Sequence, residues 1–176
     1  MAAAKRVVVL VGPKGSGKTF IGTLAGKELG LPFLRVEPIF LENIRGSRLT
    51  GDALDAEGYA KVGVAVDAAL CTESGLVIES TGAATAFPGF LETLRSKYEV
   101  LLVAIRAPLA VCLARVRGRD QSAHIPVSDD RVGEINDRAA RVELPWDLEI
   151  DNSQPAPAEV IVARLRELLA RRSTRR

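Results

Sequence analysis

The segment Gly12-Pro13-Lys14-Gly15-Ser16-Gly17-Lys18-Thr19 fits G-x-x-x-x-G-K-[ST], directly between the apolar run Val7-Val8-Val9-Leu10-Val11 and a helical pattern from Phe20 to Leu29. A strand, a glycine-rich turn and a helix N-terminus in that order make a phosphate-binding loop. Polyphosphate needs backbone N–H donors that approach closely, so Gly12, Gly15 and Gly17 supply freedom that a Cβ would obstruct, and the following helix presents its positive end. Lys18 is expected to reach the β- and γ-phosphates of a nucleotide and Thr19 to offer its hydroxyl to Mg²⁺, with Pro13, Lys14, Ser16 and Phe20 completing the cradle. The four fixed positions would coincide by accident in a chain this long roughly one time in a hundred. The strand–loop–helix setting lowers that further.

Apolar β-branched runs near 6–11, 33–37, 75–80, 99–105 and 147–151 alternate with helical patterns near 18–29, 57–71, 88–96, 109–116, 129–141 and 156–171. This alternation predicts one α/β domain over 1–176, a five-stranded parallel sheet with helices on both faces. Ligands in such folds lie beyond the carboxyl ends of the strands, so Glu37, the run Glu79-Ser80-Thr81-Gly82 and the phosphate loop are expected to converge. Two less regular stretches stand out. The segment of about 38–60, with Gly46, Gly51 and Gly58, suits a substrate-binding flap, and that of about 117–128, rich in polar residues, suits a mobile lid.

Composition excludes several classes. A formal net charge of +2 over 176 residues implies neither a nucleic acid nor a membrane as partner, and Arg171, Arg172, Arg175 and Arg176 read as a solvated helix end. Cys71 and Cys112 have no C-x-x-C spacing and no neighbouring histidine, so they are expected to be buried small hydrophobes. No apolar segment approaches membrane-spanning length, and Met1 to Arg6 leads at once into the first strand with no room for a cleavable signal. A cytoplasmic protein is the expectation.

The phosphate loop serves several chemistries, and the rest of the chain selects among them. A guanine-nucleotide switch would carry Asp-x-x-Gly directly after a later strand and Asn-Lys-x-Asp further on, and neither is present in those places. Motor-type ATPases end a hydrophobic strand on adjacent acidic residues, whereas Leu76-Val77-Ile78 leads to a single Glu79 and then Ser80. A small kinase remains. Its chemistry needs a phosphate cradle, Mg²⁺, positive charge over the transferred phosphoryl and a positioned acceptor hydroxyl.

Over nearly its whole length the chain resembles the small-molecule kinases of the nucleoside-monophosphate-kinase-like group, most nearly the shikimate kinases and more distantly the gluconate kinases. Phe33-Leu34-Arg35-Val36-Glu37 stands where shikimate kinases have F-x-D-x-D, with Arg35 and Glu37 at the two Asp positions. Glu42 and Gly46 keep the E-x-x-x-G spacing. Glu57-Gly58-Tyr59-Ala60-Lys61 stands at G-E-x-x-F-R with Lys61 in place of the Arg, and Ser80-Thr81-Gly82-Ala83 replaces a glycine-rich turn. Arg138 has the spacing of the Arg of R-x-P-L-Y, without the Pro-Leu-Tyr, and His124-Ile125-Pro126 falls near the usual lid Arg, which Arg117 or Arg119 could supply.

The resemblance implies roles. Glu37 would position the acceptor hydroxyl or act as its general base; Glu79 would hold Mg²⁺ together with Thr19, or orient the acceptor. Arg119 and Arg117 would stabilise the transferred phosphoryl, with Arg115 or Arg117 against adenine, and Gln154 and Pro155 in the loop after the last strand would complete the adenine pocket. Lys61, Thr81, Gly82, Arg138 and His124 would contact the acceptor, with Arg45, Arg48 and Arg141 as possible substitutes. Trp146 is expected to pack beneath the adenine loop. The implied activity is an ATP- and Mg²⁺-dependent transfer to a hydroxyl of a small, anionic metabolite, shikimate-like or a sugar acid. Two alternatives stay open: an ATP-binding or ATPase regulatory protein that has lost acceptor chemistry, and a nucleotide or nucleic-acid-end kinase.

Overall fold

The computed structural model describes residues 4–119, 124–125 and 127–173, with the side chains of 172 and 173 left aside. Its elements are β1 (Arg6–Val11), α1 (Lys18–Leu29), α2 (Val36–Gly46), α3 (Gly51–Ala69), β2 (Gly75–Ser80), α4 (Phe87–Lys97), β3 (Glu99–Arg106), α5 (Leu109–Arg117), α6 (Asp129–Ala140), β4 (Leu148–Asp151) and α7 (Ala158–Ser173). The strands form one parallel sheet in the order β2-β1-β3-β4.

Period-two alternation along each strand divides the core. Val7, Val9 and Val11 of β1, Leu76 and Ile78 of β2 and Leu102 of β3 face a layer built by α2, α3 and α4, including Val36, Tyr59, Val62, Val66, Phe87, Leu91 and Leu94. Val8, Leu10, Val77, Leu101, Val103, Ile105 and Ile150 face the other way, against Ile21 and Ala25 of α1 and Ile161, Leu165 and Leu168 of α7. Each fully buried aliphatic side chain here is worth about 1.5–3 kcal/mol relative to exposure. Three layers follow, with β1 at the centre of the sheet.

The expected strand over 33–37 is corrected to a single parallel bridge. Phe33 pairs with Val77 on the outer edge of β2, where Leu34 N–H donates to the Val77 carbonyl (2.9 Å) and Val77 N–H to the Pro32 carbonyl (2.8 Å). The chain then turns into α2 at Val36, so the sheet has four strands and a one-bridge remnant of a fifth. Pro38 explains part of this: in the first turn of a helix it removes an N–H that has no intrahelical partner, and its fixed φ suits the helix. Glu37 therefore sits on the first turn of a helix, where a carboxylate is favoured by the helix dipole, and not at a strand end.

The segment expected to be a flap is a helical hairpin. Phe40 of α2 meets Tyr59 of α3 edge-on at 5.1 Å between ring centroids, and Asn43 Nδ2 donates to the Leu54 carbonyl across the pair. Cys112 is buried as expected, but Cys71 is exposed, because α3 ends at Ala69, two residues earlier than the apolar pattern indicated, and leaves it in the following turn. Among the described residues no helix is long and apolar enough to cross a membrane. Residues 120–123 and 126 of the expected lid, and Arg175 and Arg176 of the C-terminal arginine group, lie outside the described residues, as does the side chain of Arg172.

Candidate active site

The turn from 12 to 17 leaves β1 between its two neighbours. Gly12 N–H donates to the Ser80 carbonyl at 3.1 Å, and a Cβ on Gly12 would stand 2.2 Å from the Ile105 carbonyl oxygen, so the loop emerges at the point where the sheet order reverses. Gly15 and Gly17 adopt φ of 88° and 99°, and a Cβ at Gly15 would lie 2.4 Å from the backbone oxygen of Cys112. Only glycine meets both requirements at Gly15, the left-handed backbone and the close approach of α5. Ser16 Oγ is buried and has no hydrogen-bond partner. A backbone cradle that excludes side chains and holds a spare buried hydroxyl fits a polyphosphate.

Lys18 opens α1 and turns back beneath the loop. Its ammonium donates to the carbonyls of Gly12 (2.9 Å) and Pro13 (2.8 Å). Burial lowers its pKa from 10.5 to about 8 against the pull of Glu79, with Lys14 adding to the lowering. Next to it Thr19 Oγ1 donates to Glu79 Oε2 at 3.0 Å, joining α1 to β2. Among the described residues no cluster of three or more His, Cys, Asp or Glu is placed to hold a metal. One hydroxyl and one carboxylate are the donor set that suits Mg²⁺, which keeps most of its water and takes its other oxygens from phosphates.

Glu37 is drawn into the same region from α2. Its Oε1 accepts from Lys14 Nζ (3.0 Å) and from Ile125 N–H (3.0 Å), while Oε2 lies 2.6 Å from His124 Nδ1. Burial works to raise its pKa, but Lys14, the His124 contact and the Ile125 N–H together hold it down at about 2. Glu37 is thus a fixed anion that ties the phosphate loop to residues 124–125. Arg119 completes the group: its Nε and one terminal nitrogen are buried without a partner, and it feels the charges of Glu37 and Glu79, while burial moves its pKa below the usual arginine value. An unpaired guanidinium beside a phosphate cradle is suited to bind an anion.

Other anticipated residues have different surroundings. Arg115 donates to the carbonyls of Ser16 (3.4 Å) and Asn152 (2.8 Å), and Asn152 Nδ2 donates to Ser16 O at 2.7 Å, so both brace the loop. Gln154 and Pro155 follow Asn152 at the surface, and Phe20 is exposed on the first turn of α1. Arg117 pairs with Asp129 at 2.5 Å. Lys61 bonds Asn43 Oδ1 (2.6 Å) and lies 3.9 Å from Glu57, within the α2–α3 hairpin, and Arg138 is exposed on the last turn of α6. Thr81 Oγ1 accepts from Ala83 N–H, and Gly82 N–H donates to Ser80 Oγ, which also meets Tyr59 OH at 2.8 Å. Burial raises the Tyr59 pKa to about 12, so it remains a neutral hydrogen-bonding group. Trp146 packs on the α2–α4 side of the core with Arg106 over its ring at 5.3 Å.

One residue was not anticipated: Asn136 of α6 is buried and bonded to both backbone groups of Lys14. Arg35, which the resemblance set at an Asp position, has a buried, unpartnered Nε just before α2. A polar residue in a helix pattern whose other buried members are Val132 and Ala139 was the available signal for Asn136.

No protein-family model and no curated protein sequence matches the chain. Solved structures do match. A sugar kinase from Janibacter sp. superposes with a TM-score of 0.68 at 22% identity, over 94% of this chain and 95% of that one. A gluconokinase from Sinorhizobium meliloti gives 0.66 at 22% identity, over 97% and 94%. A shikimate kinase from Bacteroides thetaiotaomicron gives 0.64 at 22% identity, over 96% and 99%. The fold is that of the P-loop kinases.

Proposed function

We propose that this chain, which has the P-loop kinase fold, transfers the γ-phosphoryl group of ATP to a hydroxyl of a small, anionic metabolite with the help of Mg²⁺. The observation that carries the reading is Glu37, brought by α2 to 3.0 Å from Lys14 of the phosphate loop. That carboxylate keeps an acceptor direction on Oε2 with which it can hold an acceptor hydroxyl beside the loop. A transferase needs an acceptor held in line with the phosphoryl.

In this reading Lys18 and the loop amides hold the β- and γ-phosphates, Thr19 and Glu79 hold Mg²⁺, and Arg119 offsets charge on the transferred group. Mg²⁺, when bound at Thr19 and Glu79, would supply charge neutralisation to the phosphate oxygens. Glu37, with a pKa of about 2, is too weakly basic to serve as a general base near neutrality, so it orients the acceptor hydroxyl through a hydrogen bond. Three of the roughly four acceptor directions of a carboxylate are taken by Lys14, Ile125 and His124, which leaves one on Oε2. Arg115, Gln154 and Pro155 are assigned to the adenine side, and Lys61, Thr81, Gly82, Arg138 and His124 to the acceptor side.

Purified protein with Mg²⁺ and ATP, offered a panel of sugar acids, polyols, shikimate and nucleosides, is expected to release ADP with one or a few anionic acceptors. Thermal shift with a non-hydrolysable ATP analogue present ranks the candidates beforehand. ATP binding with no transfer to any of them counts against the reading. A second reading, a nucleotide-binding regulator, draws on Lys61 being bonded to Asn43 and Glu57. It expects slow ATP hydrolysis indifferent to every metabolite and to Glu37→Ala.

A further inference from the structure

We infer that Asn136 is a positioning residue that aims the phosphate loop, a role that rests on the phosphotransferase reading above. Its side chain is only 4% exposed and meets a single residue with both of its polar atoms. Lys14 N–H donates to Asn136 Oδ1 at 2.6 Å, and Asn136 Nδ2 donates to the Lys14 carbonyl at 3.0 Å. A side-chain amide can accept and donate from adjacent atoms in this manner, where an ionised carboxylate of the same shape can only accept.

The consequence follows from peptide planarity. Every peptide among the described residues is trans, so the carbonyl of one residue and the N–H of the next point in opposite directions. With the Lys14 N–H held toward α6, the Pro13 carbonyl must point away from it, and that carbonyl accepts from Lys18 Nζ at 2.8 Å. With the Lys14 carbonyl also held toward α6, the Gly15 N–H must point away, toward the side occupied by the Lys18 ammonium. One buried amide therefore orients two consecutive peptides. The first seats the lysine, and the second presents a donor to a phosphate.

The same stretch of chain grips Lys14 a second time. His124 and Ile125 bond Glu37, Glu37 bonds Lys14 Nζ, and α6 begins a few residues later at Asp129. Backbone and side chain of one loop residue are thus tied to α6 and to the residues 124–125 that precede it, and movement of α6 would be felt in the loop.

Asn136→Asp tests the idea. The ionised carboxylate still accepts from the Lys14 N–H but sets an acceptor against the Lys14 carbonyl, and protonation at low pH restores the donor. By calorimetry with a non-hydrolysable ATP analogue, this variant is expected to bind about tenfold more weakly than wild type at pH 8 and to recover toward wild type near pH 5. Asn136→Ala is expected to bind weakly at both pH values. A merely structural tie would lower thermal stability without a pH-reversible change in affinity.

Analogue affinity equal to wild type in both variants overturns the proposal. Wild-type protein that does not bind the analogue at all overturns the phosphotransferase reading instead. If either variant unfolds, amide hydrogen exchange on the wild type decides: the Gly15 amide is expected to exchange freely in the unliganded protein and to gain protection with the analogue. A Gly15 amide protected equally in both states defeats the assignment.

Discussion

Thr19 Oγ1 donates to Glu79 Oε2 at 3.0 Å, a contact across 60 residues of sequence between the first turn of α1 and the carboxyl end of β2. β1 and β2 are hydrogen-bonded neighbours in parallel register, with Leu10 opposite Glu79 and Val11 opposite Ser80. The loop that leaves β1 must therefore pass over the end of β2, and the helix it feeds starts within reach of Glu79. The putting together of hydroxyl and carboxylate is a product of strand order.

This pair makes the first prediction. Glu79→Gln keeps the shape and the hydrogen bond but removes the charge that a divalent cation would feel. Its kcat is expected to fall about a hundredfold, with the Mg²⁺ concentration for half-maximal rate displaced upward and Mg²⁺-free nucleotide binding preserved. A Mg²⁺ titration of the ADP-release rate measures this, and an unchanged midpoint would remove Glu79 from the metal site.

Arg119 makes the second. Its buried donors lack partners, so the unliganded protein bears a desolvation cost that a bound phosphate would offset. Arg119→Ala is expected to lower kcat about 10²- to 10³-fold while leaving the melting temperature of the unliganded protein unchanged or slightly higher. A large loss of stability with little loss of rate would assign the residue to the fold.

The phosphate loop was legible in the sequence because it is local: glycines, Lys18 and Thr19 lie within eight positions, and the backbone that they require is specified by their own stereochemistry. Strands β1 and β2 are apolar runs whose ends coincide with the expected ones. The segment 33–37 misled because Phe33 and Leu34 do pack on the two core clusters as a strand would, while Pro38 and the first turn of α2 capture Val36 and Glu37. Asn136 was missed for a different reason. Its partner Lys14 lies 122 residues away, and nothing in a helical pattern announces which buried amide will meet a distant peptide.

Glu37 makes the third prediction, through pH. Its folded pKa of about 2 lies below the usual 4.5, so its contribution to stability is complete above about pH 4.5 and is lost as pH falls through about 2. The side chain is only 15% exposed, and the difference corresponds to on the order of 3 kcal/mol at most, shared with Lys14 and His124. Urea unfolding of wild type and Glu37→Gln is expected to show a wild-type advantage at pH 6 that shrinks steadily toward pH 2. A gap independent of pH would mean that Glu37 is not held as an anion.

Lys18 makes the fourth, where stability again rises with pH but because a burial cost is relieved and not because a favourable charge forms. Its folded pKa of about 8 lies below the ordinary 10.5, so the unfolded chain binds more protons between these values and stability must rise with pH across that window. Below about pH 8 the lysine is charged in both states and its burial cost is felt in full, about 3 kcal/mol by the same conversion. Lys18→Met is expected to abolish this dependence along with the proposed phosphoryl transfer, although it also forfeits the bonds to Gly12 and Pro13, a loss with little pH dependence. The stability of the variant relative to wild type is therefore expected to be greatest near pH 7 and to decline through pH 10, as read by denaturant unfolding at several pH values. Nucleotide phosphate should act on the wild type in the same sense as high pH, by relieving the isolated charge, so a saturating ATP analogue is expected to flatten the wild-type profile between pH 7 and pH 10. Parallel profiles for wild type and variant, with and without the analogue, would show that the buried ammonium is not what the phosphate meets.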